Sequence, residues 1–320
     1  MIDIIIPTYN NKEGLIKTLN SIPSRADLTI TVIDDCSTIV YPDMREQFPS
    51  AHFYRLPSNR GPGLVRQWGI EHTSEPYIMF IDTGDYFLDS SIFDKVINEI
   101  QKSPNIDFFS WQHISESLNK VCNNTHNRLH ARVYKRKFIE NNNICFCPES
   151  SFVNEDVGFN RICRLLTTMK FIPMPIYMWT SDENSLTRKD NNLFTYQKQN
   201  MGLALNGIHI YNHIKGKVSP QIILKEIGEI MGALYYNIVK TAQERPEYLN
   251  NSWNGARLFY TTIYKPYGND AENISLHQIF SKLLQQAQKK RETWKKSIPL
   301  NVNRFLSDID KYENPPSWYK

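Results

Sequence analysis

The sequence predicts an α/β fold with a mostly parallel sheet, followed by a mostly helical C-terminal extension. Short apolar runs rich in β-branched and aromatic residues indicate buried strands, because each is too short for three helical turns. Helical patterns alternate with these runs at the spacing of right-handed βαβ units. Beyond residue 190, apolar residues recur at helical spacing. We therefore expect one domain over residues 1–190 and a basic, mostly helical extension over residues 191–320.

The first part of the domain is predicted to alternate strands and helices, and Asn10 or Asn11 can cap the first helix. The predicted strands cover residues 2–6, 28–33, 51–56, 77–81, 107–113 and 128–133. The predicted helices cover residues 12–21, 42–47, 91–102 and 134–140, with a further helix that opens at the 59–63 loop and ends near residue 72.

Polar side chains follow the predicted strands at their carboxyl ends. In an open α/β sheet these ends lie along one edge, which is where such sheets bind ligands. We expect one crevice there, formed by Tyr9, Asp34, Asp35, Arg66 and Asp82.

Two pairs of carboxylates are candidates for chemistry. Asp82 and Asp85 end the 77–81 strand, and Mg²⁺ or Mn²⁺ prefers such oxygen ligands together with substrate phosphates. The alternative for this pair is a plain solvated turn. Glu155 and Asp156 begin a helical pattern, where the helix dipole stabilises acids that are often purely structural.

Several classes of protein are excluded or disfavoured. The sequence has no P-loop, G-x-S-x-G or HExxH motif, which removes the commonest nucleotide hydrolases and serine hydrolases. Gly61-x-Gly63 lacks the third glycine of a dinucleotide fingerprint. No apolar run approaches the roughly 18 residues that a transmembrane helix needs. Five widely spaced cysteines argue against a disulfide framework. These features predict a cytoplasmic protein without a transmembrane segment.

The net charge of +4 is unevenly distributed. Residues 201–320 contain 16 Lys and Arg against 10 Asp and Glu, a surplus of 6, whereas residues 1–200 contain 21 against 23. The densest basic stretch runs from Lys282 to Lys296. A basic region of this kind can bind nucleic acid, an anionic membrane surface or an acidic polymer. Alternatively, it forms only a solvated helix face.

Six ordered motifs over about residues 1–190 together resemble the family 2 glycosyltransferases. These are Ile5-Ile6-Pro7-Thr8-Tyr9-Asn10, Val32-Ile33-Asp34-Asp35-Cys36-Ser37, Asn59-Arg60-Gly61 with Arg66-Gln67-Trp68-Gly69, Asp82-Thr83-Gly84-Asp85, Leu129 to Phe138 followed by Glu155-Asp156, and Ile176-Tyr177-Met178-Trp179 with Asn184 to Arg188. The resemblance implies the GT-A nucleotide-sugar-binding fold, with a mostly parallel, Rossmann-like sheet. It also implies inverting transfer of a sugar from a nucleoside-diphosphate sugar, expected to be UDP-linked, to an acceptor hydroxyl.

The resemblance also implies roles for particular residues. Thr8, Tyr9, Asp35, Arg66 and Asp82 would bind the donor. Asp85, with help from Asp82, would hold Mn²⁺ or Mg²⁺ on the diphosphate. Asp156 would take the proton of the acceptor hydroxyl, and Glu155 would shape the acceptor pocket or position Asp156.

One position departs from the family pattern. The third position of Asp-x-Asp-Asp, the usual direct metal ligand, is Gly84 here. The resemblance leaves the acceptor open: a glycan of a cell-surface polymer, or a hydroxymethylated base of duplex DNA, as in phage enzymes of the host cytoplasm that glycosylate their own genome. A third reading is a non-catalytic protein that only binds nucleotide sugars or glycans. The sequence leaves the oligomeric state open.

Overall fold

In the computed structural model, the chain forms two compact units, Met1–Glu183 and Asn184–Lys320. The structure describes residues 1–123, 128–181, 193–269, 278–279, 282 and 302–319. The predicted motif Asn184 to Arg188 lies outside these residues.

One mixed sheet forms the centre of the first unit. Among the described residues it has nine strands in the order β3-β2-β1-β4-β8-β6-β9-β5, with β7 paired to β6. The strands are β1 Ile2–Thr8, β2 Leu28–Asp34, β3 Ala51–Arg55, β4 Tyr77–Phe80, β5 Tyr86–Phe87, β6 Phe108–Ser115, β7 Lys120–Cys122, β8 Arg132–Lys135 and β9 Met169–Trp179.

The four strands β3, β2, β1 and β4 are all parallel, which confirms the predicted βαβ units. The other half of the sheet is mixed, because β8 runs antiparallel to both β4 and β6. The strand predicted at residues 128–133 begins only at Arg132, since Ala131 has a φ of 54° that interrupts extended backbone.

The longest strand, β9, was not predicted as a strand. It contains Pro173 and Pro175, which cannot donate to the hydrogen-bond ladder and therefore mask a strand in the sequence. The structure accommodates them by shifting the register of β6 against β9 on either side of Gln112.

Six helices join the described strands of the first unit. They are α1 Lys12–Asn20, α2 Met44–Gln47, α3 Pro62–His72, α4 Ile92–Lys102, α5 Arg136–Asn141 and α6 Glu155–Leu166. Asn11 caps α1 as predicted, because its Oδ1 accepts the Gly14 N–H at 2.9 Å. The main apolar core includes Ile4, Val32 and Met79, each at most 1% exposed.

Helices form the described part of the second unit. They are α7 Leu193–Ile214, α8 Pro220–Glu244, α9 Leu249–Phe259, α10 Lys265–Asn269 and α11 Val302–Lys311. The stripe predicted on α8 is confirmed, since all five of its members are buried: Ile223, Ile227, Ile230, Leu234 and Ile238. On α7 the sequence predicts an apolar stripe of Leu203, Leu205, Ile208 and Tyr211, but these residues are half-buried. Among the described side chains of this helix, Ala204, Ile210 and Ile214 are the buried apolar ones.

The aromatic tail, unexplained by the sequence, is anchored on α11. Trp318 Nε1 and the Tyr319 hydroxyl donate to Asp308 Oδ2 at 3.0 and 3.3 Å. Most of the Lys282 to Lys296 basic stretch lies outside the described residues, as does all but Ile279 of the predicted stripe from Leu276 to Ala287. Over the part of the chain that the structure covers, every helix is too short or too polar to span a membrane.

Candidate active site

The site is built from the carboxyl ends of three parallel strands and the first turns of α3 and α6. Thr8 is the buried last residue of β1, and Tyr9 beyond it is 43% exposed. The Asp35 N–H donates to the Thr8 carbonyl at 2.9 Å, so the ends of β1 and β2 are held side by side. Tyr9 and Asp35 thus lie at one edge of the sheet, as predicted.

Asp35 holds the loop that opens α3. Its carboxylate accepts the backbone N–H groups of Arg60 at 2.7 Å and Gly61 at 2.8 Å. Burial raises the pKa of Asp35, and these two hydrogen bonds oppose the rise. Each carboxylate oxygen has a second lone pair, so the same group can also accept from a ligand. Asp34, predicted in the same crevice, instead pairs with Arg55 at 2.5 Å.

Arg66 occupies the centre of the site. Its side chain is 5% exposed, and it donates from Nη2 to Asp82 Oδ1 at 2.5 Å and from Nη1 to Glu155 Oε1 at 2.9 Å. One buried cation therefore joins the turn after β4 to the start of α6. The sequence predicts Arg66 as a donor contact but does not show this pairing, because the partners lie 16 and 89 positions away.

Asp85 differs from Asp82 in its surroundings. Asp82 is half exposed, whereas Asp85 is only 4% exposed. The Tyr177 hydroxyl donates to Asp85 Oδ2 at 2.7 Å, and both the N–H and the hydroxyl of Thr180 donate to Oδ1 at 2.8 and 2.9 Å. Burial, and then the charge of Asp82, raises the pKa of Asp85 to about 7. This geometry favours Asp82 over Asp85 as the carboxylate that faces a metal.

Gly84 is required by the shape of the turn. Its φ is 102°, a conformation that side-chain-bearing residues rarely adopt. Its N–H donates to Thr18 Oγ1 at 2.9 Å, and that hydroxyl donates to the Asp85 carbonyl at 2.7 Å. The departure from Asp-x-Asp-Asp thus has a backbone reason. The sequence does not single out Thr18 or Thr180, since both reach the turn from distant elements.

Asp156 lies at the start of α6, after Asn154 in the left-handed region with a φ of 59°. Its Oδ1 accepts the Val157 N–H at 2.9 Å. Burial and the neighbouring Glu155 charge raise the pKa of Asp156, and the cations of Arg66 and Arg128 oppose the rise. A carboxylate with a raised pKa is a stronger proton acceptor, which suits a general base.

The site therefore combines an exposed carboxylate, a buried cation and a basic carboxylate at one sheet edge. A half-parallel, half-mixed sheet with these groups at its strand ends defines the GT-A class of nucleotide-sugar-binding folds. Residues 3–160 match the model of glycosyl transferase family 2, and this part of the chain belongs to that family.

Curated proteins that are named as glycosyltransferases match short stretches of this chain. An uncharacterized glycosyltransferase of Haemophilus influenzae is 29% identical over 111 residues, which is 34% of this chain and 37% of that protein. The poly(ribitol-phosphate) β-N-acetylglucosaminyltransferase TarS of Staphylococcus aureus is 28% identical over 91 residues, 26% of this chain and 16% of TarS. The chain thus spans well under half the length of the curated relatives it matches.

Solved structures share the fold over most of the chain. The crystal structure of S. aureus TarS 1–349 in complex with UDP-GlcNAc has a TM-score of 0.68 at 16% identity, covering 92% of this chain and 91% of that one. The mannosyltransferase PcManGT of Pyrobaculum calidifontis, in complex with GDP-Man and Mn²⁺, has a TM-score of 0.50 at 13% identity, covering 92% and 88%. At these identities the likeness shows the fold alone.

Proposed function

We propose that this protein transfers a sugar from a nucleoside-diphosphate sugar to an acceptor hydroxyl with inversion at the anomeric carbon. The observation that carries the proposal is the position of Arg66, which holds Asp82 at 2.5 Å and Glu155 at 2.9 Å. This pairing brings the carboxylate expected to meet the diphosphate and the residue next to the expected base, Asp156, into one crevice.

The donor is expected to lie along the ends of β1 and β2. The exposed ring of Tyr9 can stack on the nucleotide base, and Asp35 can accept the N–H of a uracil. TarS is seen with UDP-GlcNAc, and this likeness supports a UDP-sugar as the donor. Thr8, the buried last residue of β1, would lie next to this contact because it precedes Tyr9 directly.

Mn²⁺ or Mg²⁺ suits the oxygen atoms that remain available at this turn. Asp82 Oδ1 is engaged by Arg66, and Oδ2 has no hydrogen-bond partner among the described residues. When bound, such an ion neutralises charge on the departing diphosphate. Asp82 would hold it, while Asp85 keeps the turn in place through Tyr177 and Thr180.

The chemical step follows from the position and basicity of Asp156. The acceptor oxygen forms a bond to the anomeric carbon as the bond from that carbon to the diphosphate oxygen breaks on the opposite face. The hydroxyl proton passes to the Asp156 carboxylate, and the nucleoside diphosphate leaves with the bonding electron pair. General base assistance of this kind contributes about 10²–10⁴-fold to the rate.

The acceptor is proposed to be a glycan or other cell-surface polymer. The TarS name, with its poly(ribitol-phosphate) acceptor, supports this choice. The basic surplus of residues 201–320 favours hydroxymethylated duplex DNA as the second candidate, because phosphate contacts supply most non-specific DNA affinity.

The test is sugar transfer from a panel of UDP-GlcNAc, UDP-glucose and GDP-mannose, with Mn²⁺ or EDTA. Ribitol phosphate polymer, chitotetraose and hydroxymethylated duplex DNA serve as acceptors. We expect one UDP-sugar to be turned over selectively, with loss of activity in EDTA and in Asp82→Asn. Asp94→Asn, an exposed aspartate on α4, is the matched control and should keep full activity.

Two results would count against the proposal. Donor binding without turnover on any acceptor would favour a non-catalytic nucleotide-sugar-binding protein. Absence of binding to every nucleotide sugar would contradict the donor site itself. Transfer to hydroxymethylated DNA alone would select the second acceptor.

A further inference from the structure

Arg128 presents an exposed cation that has no carboxylate partner among the residues that the structure describes. Its Cζ lies 4.2 Å from the centroid of the Trp179 ring, a cation–π contact. No described acidic side chain forms an ion pair with it, whereas Arg66, Arg55 and Arg136 in the same unit all have carboxylate partners. An exposed guanidinium placed in this way has its donors available to a ligand.

Trp179 is fixed relative to the candidate active site. It ends β9, and the next residue, Thr180, donates twice to Asp85. The His130 ring lies against the indole, with centroids 5.8 Å apart and planes 28° apart, and also against Tyr177. Tyr177 in turn donates to Asp85. The Trp179 indole under Arg128 is therefore held in place by neighbours that contact Asp85, which belongs to the same turn as Asp82.

The chain segment after Arg128 is also tied to the expected base. Arg132 Nη1 donates to Asn160 Oδ1 at 2.6 Å, and Asn160 Nδ2 donates to the Asp156 carbonyl at 3.0 Å. The positive charge of Arg128 lowers the pKa of Asp156 and so opposes the rise that burial causes. Arg128 therefore lies within electrostatic range of Asp156, the expected base.

His113 and His130 lie against the Trp179 ring and add no charge at neutral pH. Burial, followed by the charge of Arg128, lowers the pKa of His113 to about 4, and burial, with the charges of His113 and Arg128, lowers the pKa of His130 well below its usual range. Of these three described groups, Arg128 therefore carries the exposed positive charge. Arginine binds phosphate through two parallel N–H donors, and its planar group suits an aromatic face.

We propose that Arg128, supported by Trp179, binds a phosphate group of the acceptor next to the hydroxyl that Asp156 deprotonates. The acceptor class is then a flexible polyol or glycan phosphate. The inference rests on the proposed transferase function and deepens it. A single arginine suits a flexible chain that presents one phosphate at a time, whereas tight duplex binding uses on the order of 6–10 phosphate contacts.

Calorimetry of the 320-residue chain in the presence of UDP tests this site. The anionic probe is a synthetic ribitol phosphate tetramer, the neutral probe is chitotetraose, and the variants are Arg128→Gln and Arg128→Lys. We expect Arg128→Gln to weaken tetramer binding by about ten- to hundredfold, the usual effect of losing a charge-assisted hydrogen bond. Arg128→Lys should retain part of the affinity. Arg45→Gln, an exposed arginine that donates to the Phe53 carbonyl, should retain all of it.

Other outcomes overturn the proposal. Equal losses for the anionic and neutral probes, or a change only in the acid limb of the pH–rate profile, would mean that Arg128 acts through Asp156. Tighter, Arg128-dependent binding of duplex DNA would replace the polyol phosphate by nucleic acid. UDP-GlcNAc affinity and donor hydrolysis are measured separately on every variant. If both are absent from the wild type while Arg128-dependent tetramer binding persists, the proposed function fails and the anion site stands.

Discussion

At the scale of single residues, Asp156 carries the sharpest prediction. Replacing it by asparagine removes the proton acceptor and keeps the size of the side chain, so transfer should fall by about 10²–10⁴-fold. UDP-sugar affinity should be unchanged, because the expected donor contacts lie at the ends of β1, β2 and β4 and on α3, not on α6. Single-turnover transfer and calorimetric donor binding measure the two quantities. Wild-type turnover in Asp156→Asn would remove its role as the base.

The pH dependence of the reaction is the second residue-scale prediction. Burial and the Glu155 charge raise the pKa of Asp156, so the base is lost by protonation at a higher pH than for an exposed aspartate near 3.9. The ratio kcat/KM should therefore fall as pH decreases through this raised value. Glu155→Gln removes the negative charge and should move the acid limb to lower pH. If the acid limb of the kcat/KM profile does not move in Glu155→Gln, a group other than Asp156 titrates there.

At the scale of elements, the close approach of α3 and α6 depends on Gly63. A Cβ there would lie 2.9 Å from the Glu155 Cβ and 3.1 Å from the Ser151 Cα, which is closer than normal packing allows. The Gly63 N–H also donates to the Ser151 carbonyl at 2.9 Å. Gly63→Ala should displace Glu155 from Arg66 and so lower activity.

Gly69 on the same helix provides the matched control. A Cβ at Gly69 would meet Ile5 Cγ2 at 2.6 Å, in the apolar core and away from the carboxylates. Both alanine variants should lose about 1–3 kcal/mol of unfolding free energy through overpacking. Well below the unfolding temperature, only Gly63→Ala should also lose transfer activity. Equal activity of the two variants would mean that the α3–α6 spacing does not position the site.

At the scale of the whole molecule, one buried ion pair links distant parts of the first unit. Asp3 is 1% exposed within the apolar strand β1, and its Oδ2 accepts from Arg136 Nη2 at 2.7 Å, 133 positions away. Arg136 also donates to the Ile70 and Glu75 carbonyls. This contact joins β1, the start of α5 and the connection between α3 and β4.

Asp3→Asn should destabilise the first unit strongly. The substitution leaves the buried Arg136 cation without its counter-ion, which typically costs about 3–5 kcal/mol. Asp27→Asn, which removes a partly exposed partner of Arg25, should cost no more than about 1 kcal/mol. Urea unfolding followed by tryptophan fluorescence compares the two variants. Similar urea midpoints for the two variants would show that the buried Asp3–Arg136 pair contributes little to the free energy of unfolding.

Local signals in the sequence determined the parallel half of the sheet and much of the candidate site. Continuous apolar strands, capping residues and a helix opened by Pro62 are decided by neighbours in the chain, so β1 to β4 and their helices were predictable within a few residues. Thr8 ends such a strand and Tyr9, Asp35 and Asp82 follow such strands closely, so their positions along one edge follow from the order of a parallel sheet. Asp156 begins a helical pattern that is also visible locally.

Only the tertiary structure decided which polar groups meet across long sequence separations. Arg66 donates to Asp82 and to Glu155, and Thr180 donates to Asp85. None of these three pairings leaves a local pattern in the sequence. The prolines of β9 concealed the longest strand, because strand pairing there depends on a register shift in a distant partner. The sequence therefore determined which chemical groups are present at the sheet edge. Long-range packing decided that Asp85 is buried, that Asp82 is exposed, and that Arg66 joins Asp82 to Glu155.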